Sequence, residues 1–175
     1  MKKLMVLLAG LLALAGCSSV SVEQYRAQTP VLDLRSYFNG TLDAYGMFQD
    51  RSGEVVKRFH VVIEASWQGD TGTLDERFTY SDGTTQRRVW TLIQSGAGRY
   101  TGRADDVVGE AQGEAAGNAL RWRYVMALPV DGKVYEVDFD DWMFLIDENV
   151  MLNRSAMSKF GVHLGEVTLS FSKRK

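Results

Sequence analysis

The sequence is poor in the residues that build disulfides, metal centres and catalytic triads. Among 175 residues it has one cysteine and two histidines. A single cysteine cannot form a disulfide within the chain, which excludes a domain stapled by disulfides. His60, His163 and one cysteine are too few for a zinc site, and they leave no histidine for a convincing Ser-His-Asp triad. We therefore expect no metal, no cofactor and no enzyme activity.

The chain also lacks an excess of positive charge. It carries 20 basic and 22 acidic residues, a formal net charge of −2. Removal of a leader containing Lys2 and Lys3 leaves 18 basic against 22 acidic residues, or −4. Because such a chain has no electrostatic attraction to phosphate backbones, no nucleic-acid partner is expected.

The only long apolar run lies at the N-terminus. Lys2 and Lys3 precede the apolar residues 4–14, and small residues follow, which is the pattern of a secretory signal. A bilayer core about 30 Å thick needs roughly 20 apolar residues in a helix, so this run is too short to span a membrane stably. The segment is predicted to be removed.

The residues LAGC at 14–17 resemble the bacterial lipobox, in which the cysteine sulfur receives a diacylglyceryl group before the signal is cut. This resemblance implies that residues 1–16 form a lipoprotein signal peptide and that Cys17 carries acyl chains such as palmitate. Several acyl chains give stable membrane anchoring. An Asp after the cysteine retains Gram-negative lipoproteins in the inner membrane, so Ser18 predicts the periplasmic face of the outer membrane. The alternative is an ordinary secretory signal with a chance cysteine.

The remaining chain has the length of one domain. Residues 17–36 are polar and include Pro30, so we expect a lipidated N-terminus and tether there, followed by a β-barrel domain over residues 37–175. The barrel is predicted because β-branched and aromatic residues alternate with polar ones between turn signals such as SDGT and VDGK. The predicted strands cover residues 42–50, 54–67, 72–80, 84–94, 98–104, 107–116, 119–129, 133–146, 149–157 and 162–172.

Successive hairpins favour an all-β fold, a single antiparallel up-and-down β-barrel of about eight to ten strands, because closure removes unpaired strand edges. Alternation then predicts which side chains face inward. Trp122 and Tyr124 share one face while Arg121 and Arg123 take the other. Glycines and alanines share a face between residues 107 and 117, which indicates either tight packing of large against small residues or room for a guest.

Two charges fall on the predicted inner face. Arg88 alternates with Trp90, and Asp141 alternates with Phe139, whereas Asp140 faces outward. A lone buried charge is costly, so Arg88 and Asp141 should pair with each other or meet a polar ligand; a strand end open to water is the other interpretation, and a bulge near Asp140 would swap the faces. The predicted ligand-binding residues are Arg88, Trp90, Tyr124, Phe139 and Asp141.

The phrases YFNGTLDAYGMF, FTYSDGTTQRRVWTL and VDGKVYEVDFDDWMFLIDENVMLNRSAMSKFGV, with the lipobox, resemble a proteobacterial family of lipoproteins of unknown function. The resemblance covers nearly the whole mature chain. It implies a calycin-like barrel, as in lipocalins and fatty-acid-binding proteins, and it supplies no catalytic residues. The residues GMF at 46–48 are similar to the Gly-x-Trp signature of lipocalins, with Phe48 in place of Trp.

Two functions remain open at this point. The first is an outer-membrane-anchored periplasmic lipoprotein that binds or carries a small apolar, fatty-acid-like ligand, with Arg88 near its carboxylate. The second is a non-catalytic structural or protein-interaction lipoprotein of the cell envelope with a filled barrel. Cavity volume separates the two, because a ligand pocket needs roughly 300 Å³ or more of concave apolar space.

Overall fold

The computed structural model describes residues 20–174, so the predicted signal peptide, Cys17 and Ser18 lie outside the described residues. A 3₁₀-helix, Val22–Tyr25, and a one-turn helix α1, Leu34–Tyr37, precede the strands. The strands are β1 Gly40–Asp50, β2 Val55–Gln68, β3 Thr71–Tyr80, β4 Thr85–Gly96, β5 Arg99–Arg103, β6 Val107–Ala116, β7 Ala119–Val130, β8 Lys133–Leu145, β9 Val150–Lys159 and β10 Val162–Lys173. Within this part of the chain, no helix is long and apolar enough to cross a membrane.

The ten strands form one closed antiparallel barrel. Each strand pairs with its neighbours in sequence, and β1 pairs with β10 from Leu42 opposite Lys173 to Asp50 opposite Gly165. The prediction of an all-β, single up-and-down barrel is confirmed, and every predicted strand end lies within two residues of an observed one. Pairing of β8 with β7 and β9 is regular through Asp140 and Asp141, so no bulge swaps their faces.

One end of the barrel is closed by the N-terminal segment. The Asp33 side chain caps α1 by accepting a hydrogen bond from the backbone N–H of Ser36. Leu34 and Phe38 are buried in the barrel, and the Trp67 indole donates to the Phe38 carbonyl at 2.9 Å. The described part of the predicted tether, residues 20–36, therefore packs against the barrel and contributes to its core.

The 3₁₀-helix lies on the outer face beside the same end. Tyr25 contacts Trp142 and Phe144 edge-on, with ring centroids 6.0 and 5.1 Å apart. Gly117, in the turn between β6 and β7, has a φ of +55°, and a side chain there would collide with the Tyr25 carbonyl. The chain therefore enters the domain at the closed end, with its first buried residue at Val22.

The glycine and alanine face of β6 is filled by an aromatic ring. Trp122 packs over Gly102 and Gly113, and a Cβ added at Gly102 would lie only 2.5 Å from the Trp122 ring. Packing of large against small residues is therefore the observed arrangement in this half of the barrel. Strict alternation predicts that Gly109 shares the inner face with the other glycines and alanines of β6. This prediction is wrong, because the register between β6 and β7 shifts between Val108 and Gln112, and Gly109 is exposed.

Candidate ligand-binding cavity

Beside the Trp122 ring, the lumen holds a cavity of about 1320 Å³. Leu34 and Phe38 form its floor, and it reaches the opposite end of the barrel, where Thr84, Val130 and Val134 line the opening. This volume is several times the roughly 300 Å³ that a ligand pocket needs. The barrel is therefore not filled by its own side chains.

Aromatic side chains form one wall of the cavity. Trp90 meets Tyr124 edge-on with ring centroids 5.5 Å apart, and Tyr124 stacks on Phe139 at 5.0 Å. All three line the cavity, as strand alternation predicts. The glycines and alanines of residues 109–117 do not border it, so of the two interpretations of this face, room for a guest is not the one observed. Trp122 already occupies the room that they leave.

Arg88 also faces the cavity, and its guanidinium is held by acidic side chains. Its Nε and Nη2 donate to the Asp106 carboxylate at 2.7 to 3.0 Å. Its Nη1 lies 3.7 Å from the Glu76 carboxylate, beyond normal hydrogen-bond distance. Among residues 20–174 no ion pair joins Arg88 to Asp141, so of the alternatives left open by the sequence, pairing of these two residues with each other is not observed. A second acid, supplied by the turn between β5 and β6, takes that place.

Asp141 has a separate, uncharged set of partners. Its side chain accepts hydrogen bonds from the hydroxyls of Ser155 and, at 3.5 Å, Tyr124. Asp141 is only 7% exposed, and burial raises its pKa to about 7. Its neighbour Asp140 lies on the outer face and binds Arg121 at 2.7 Å, so the predicted separation of the two aspartates is confirmed.

Glu76 on β3 is a cavity residue that the sequence interpretation missed. Its side chain is 12% exposed and lines the cavity between Leu74 and Phe78, which alternate with it on the same face. Burial raises its pKa to about 7, and the Arg88 charge opposes this shift. The alternation that placed Arg88 inside also applies to Glu76, so the signal was present in the sequence.

The chemistry of these groups suits an apolar molecule with one polar end. Apolar and aromatic side chains make up most of the lining, and the polar groups around Arg88 and Asp141 converge from β3, β4, β7, β8, β9 and the turn between β5 and β6. In the part of the chain that the structure describes, no group of three His, Cys, Asp or Glu residues is arranged to hold a metal ion.

Solved structures with a similar barrel are known. The S-type phycobiliprotein lyase CPES from Guillardia theta superposes with a TM-score of 0.64 at 5% sequence identity, over 89% of this chain and 99% of that chain. A de novo designed fluorescence-activating β-barrel gives a TM-score of 0.46 at 12% identity, over 82% of this chain and 99% of that chain. At 5% identity, the likeness to the lyase shows a shared barrel fold and nothing more.

No curated protein matches the sequence. One family does match, over residues 11–173, and it is described as a protein of unknown function, DUF3833. The match extends across all ten strands of the barrel. The chain therefore belongs to the DUF3833 family.

Proposed function

We propose that this protein is an outer-membrane-anchored periplasmic lipoprotein that binds or carries a small apolar ligand in its barrel. The observation that carries the proposal is the cavity of about 1320 Å³ inside a closed barrel. Natural ligand pockets occupy roughly 300 to 1000 Å³ and are lined mainly by apolar and aromatic side chains. The lining therefore supports a role in binding an apolar molecule.

The cavity is shaped to hold one molecule lengthwise. Its floor at Phe38 is closed by α1, and the aromatic wall of Trp90, Tyr124 and Phe139 follows toward the opening. Each Å² of ligand surface removed from water contributes about 25 cal/mol. An elongated apolar molecule therefore gains affinity along the whole length of the lumen.

The opening itself is apolar at its edge. Val134 is 68% exposed and Val130 is also exposed, and both line the cavity. Phe160, in the nearby turn between β9 and β10, is 91% exposed. Exposed apolar residues gathered around an opening favour passage of an apolar ligand into the lumen.

The proposed anchor would lie at the end of the domain opposite the opening. Only residues 18–21 separate the predicted acylated Cys17 from Val22, the first buried residue, on a segment that packs beside the closed end. The five Cα–Cα steps from Cys17 to Val22 span at most about 18 Å. An anchored barrel would thus hold its closed end near the membrane and direct its opening toward the periplasm.

Binding of a neutral fluorescent probe tests the proposal. The full-length protein in lipid nanodiscs is titrated with a pyrenyl alkanol, and energy transfer from tryptophan is recorded, with empty nanodiscs subtracted. We expect saturable transfer at one probe per protein, because Trp90 lines the cavity. Transfer that rises without saturation, as it does with empty nanodiscs, would count against a lumenal site.

A matched pair of variants sharpens this experiment. The lumen-filling variant Val137→Phe/Val167→Phe adds two rings to side chains that line the cavity. The control variant Val89→Phe/Val108→Phe adds the same two rings to exposed positions on the outer face. We expect saturable transfer to be lost in the first variant and kept in the second; equal loss in both would contradict the proposal.

A further inference from the structure

The ionisable groups of the lumen are predominantly acidic. Glu76, Asp106 and Asp141 line the interior of the cavity together with Arg88, whereas Asp105, Lys57 and Lys159 line it at the opening. With all four ionised, three negative charges face one positive charge. Lys57 pairs with Asp82 at 2.9 Å, and Lys159 donates to the Glu136 carbonyl at 2.7 Å, so both lysines at the opening have partners outside the cluster.

Arg88 is already engaged on the side that a ligand anion would need. Its Nε and Nη2 form the planar fork that suits a carboxylate, and Asp106 fills that fork. A ligand carboxylate would have to displace Asp106 or bind at Nη1 beside Glu76, and in both cases it would bring a fourth negative charge into a largely desolvated site. The predicted contact between Arg88 and a fatty-acid carboxylate is therefore disfavoured.

Acceptor atoms, in contrast, remain open toward the cavity. Each ionised carboxylate has about four lone-pair positions. Glu76 has the guanidinium only at 3.7 Å, and Asp141 receives hydroxyl donors from Ser155 and Tyr124. These two carboxyls come from β3 and β8 and face the same lumen. The site is short of donors and rich in acceptors.

We infer that the preferred ligand carries a protonated amine at its polar end, and that Glu76 and Asp141 hold this cation while the apolar body fills the lumen. The inference rests on the proposed function. A protonated amine supplies both the positive charge and the hydrogen-bond donors that the cluster lacks. It leaves the ion pair of Arg88 and Asp106 undisturbed.

Proton linkage follows from this arrangement. Burial raises the pKa of Glu76 and of Asp141 to about 7; Asp106 and Asp141 add to the shift of Glu76, and Asp140 on the outer face adds to that of Asp141. A bound cation favours the ionised carboxylates and displaces their protons. Affinity for the amine should therefore increase as pH rises through neutrality.

The test compares three ligands that share one chain and differ in the head group. Octylamine, octanol and octanoate are titrated calorimetrically into the full-length protein in phosphatidylcholine nanodiscs, with empty nanodiscs subtracted. We expect octylamine to bind about tenfold or more tightly than octanoate, with octanol between them. The octylamine affinity should rise between about pH 5.5 and about pH 8, and the octanol affinity should not.

Variants assign the preference to the two carboxyls. Glu76→Gln and Asp141→Asn keep the shape of each side chain and should each reduce the preference for octylamine over octanol about tenfold, whereas the exposed control Asp138→Asn should keep it. Octanoate binding as tightly as octylamine, or a preference unchanged in both variants, would overturn the inference and leave the lumenal site intact. Failure of all three ligands to bind would overturn the proposed function as well.

Discussion

The Arg88 guanidinium holds the Asp106 carboxylate in a two-pronged ion pair, with 2.7 Å between Nη2 and Oδ2. The pair ties β4 to the turn between β5 and β6, and it lies where the cavity wall would otherwise contain a free cation. Because the Asp106 carboxylate neutralises and binds the Arg88 guanidinium, this ion pair stabilises the wall of the lumen. This single contact changes the expected chemistry of the site from anion binding to cation binding.

Removal of Arg88 should destabilise the fold. Its side chain is only 14% exposed, and Arg88→Met leaves Asp106 and Glu76 without their counter-charge, which costs about 3 to 5 kcal/mol for a buried pair. Urea unfolding followed by tryptophan fluorescence measures the loss. The control is Arg87→Met on the outer face, where the pair with Asp75 is largely exposed on the arginine side and should contribute about 1 kcal/mol or less. Equal losses in the two variants would contradict this role for Arg88.

Trp122 is predicted to be a main support of the closed half of the barrel. Its ring fills the space over Gly102 and Gly113. Trp122→Ala therefore leaves a void, because neither glycine has a side chain that could fill it. Truncation of a buried aromatic residue costs about 3 to 5 kcal/mol. Chemical denaturation checks the value, and a loss below about 1 kcal/mol would show that the ring does not pack in the interior.

Stability should depend on pH through Asp141. Burial raises its pKa in the folded state to about 7, above the value near 4 of an unfolded chain. The folded state then binds more protons than the unfolded state between these values, so this group lowers the free energy of unfolding as pH rises from about 4 to about 7.

The variant Asp141→Asn removes this titration. Relative to the wild type, its free energy of unfolding should rise by roughly 2 to 4 kcal/mol across the same interval. Urea unfolding at a series of pH values measures the difference, with the exposed Asp138→Asn as the control. A difference between variant and wild type that stays constant with pH would refute a raised pKa at Asp141.

The predicted anchor can be tested by processing. Cys17→Ser removes the thiol that receives the lipid, and we expect an unprocessed precursor that keeps residues 1–16. Mass spectrometry of the intact protein distinguishes precursor from mature chain. Recovery of a normally cut, unanchored protein from this variant would rule out the lipobox interpretation.

The strands were predictable because each hairpin is local. The turn signals specify where each strand ends, and the alternation of period two specifies which side chains face the lumen. In β8, this alternation correctly places Asp140 outside and Asp141 inside. Alternation has no meaning in a turn, however, so Asp106 could not be assigned to the lumen from sequence. Its partner Arg88 was placed correctly but was given the wrong counter-ion.

The packing of the N-terminal segment and of Trp122 depends on contacts between residues distant in sequence. Nothing in the sequence pattern of residues 17–38 predicts that the side chains of Leu34 and Phe38 are buried in the barrel. The small face of β6 was recognised, yet whether it left room or received a ring depended on the rotamer of Trp122 across the strand pair. The cavity volume depends on all of these side-chain contacts together, so it could not be predicted from the sequence.

Native mass spectrometry of the full-length protein purified from its own envelope tests the central claim most directly. The claim is that the lumen of about 1320 Å³ holds an apolar ligand. We predict one additional bound mass per protein in the wild type and in Val89→Phe/Val108→Phe, and its loss in the lumen-filling variant Val137→Phe/Val167→Phe. A wild-type protein that carries no additional mass, or a bound mass that survives in the lumen-filling variant, would contradict the account.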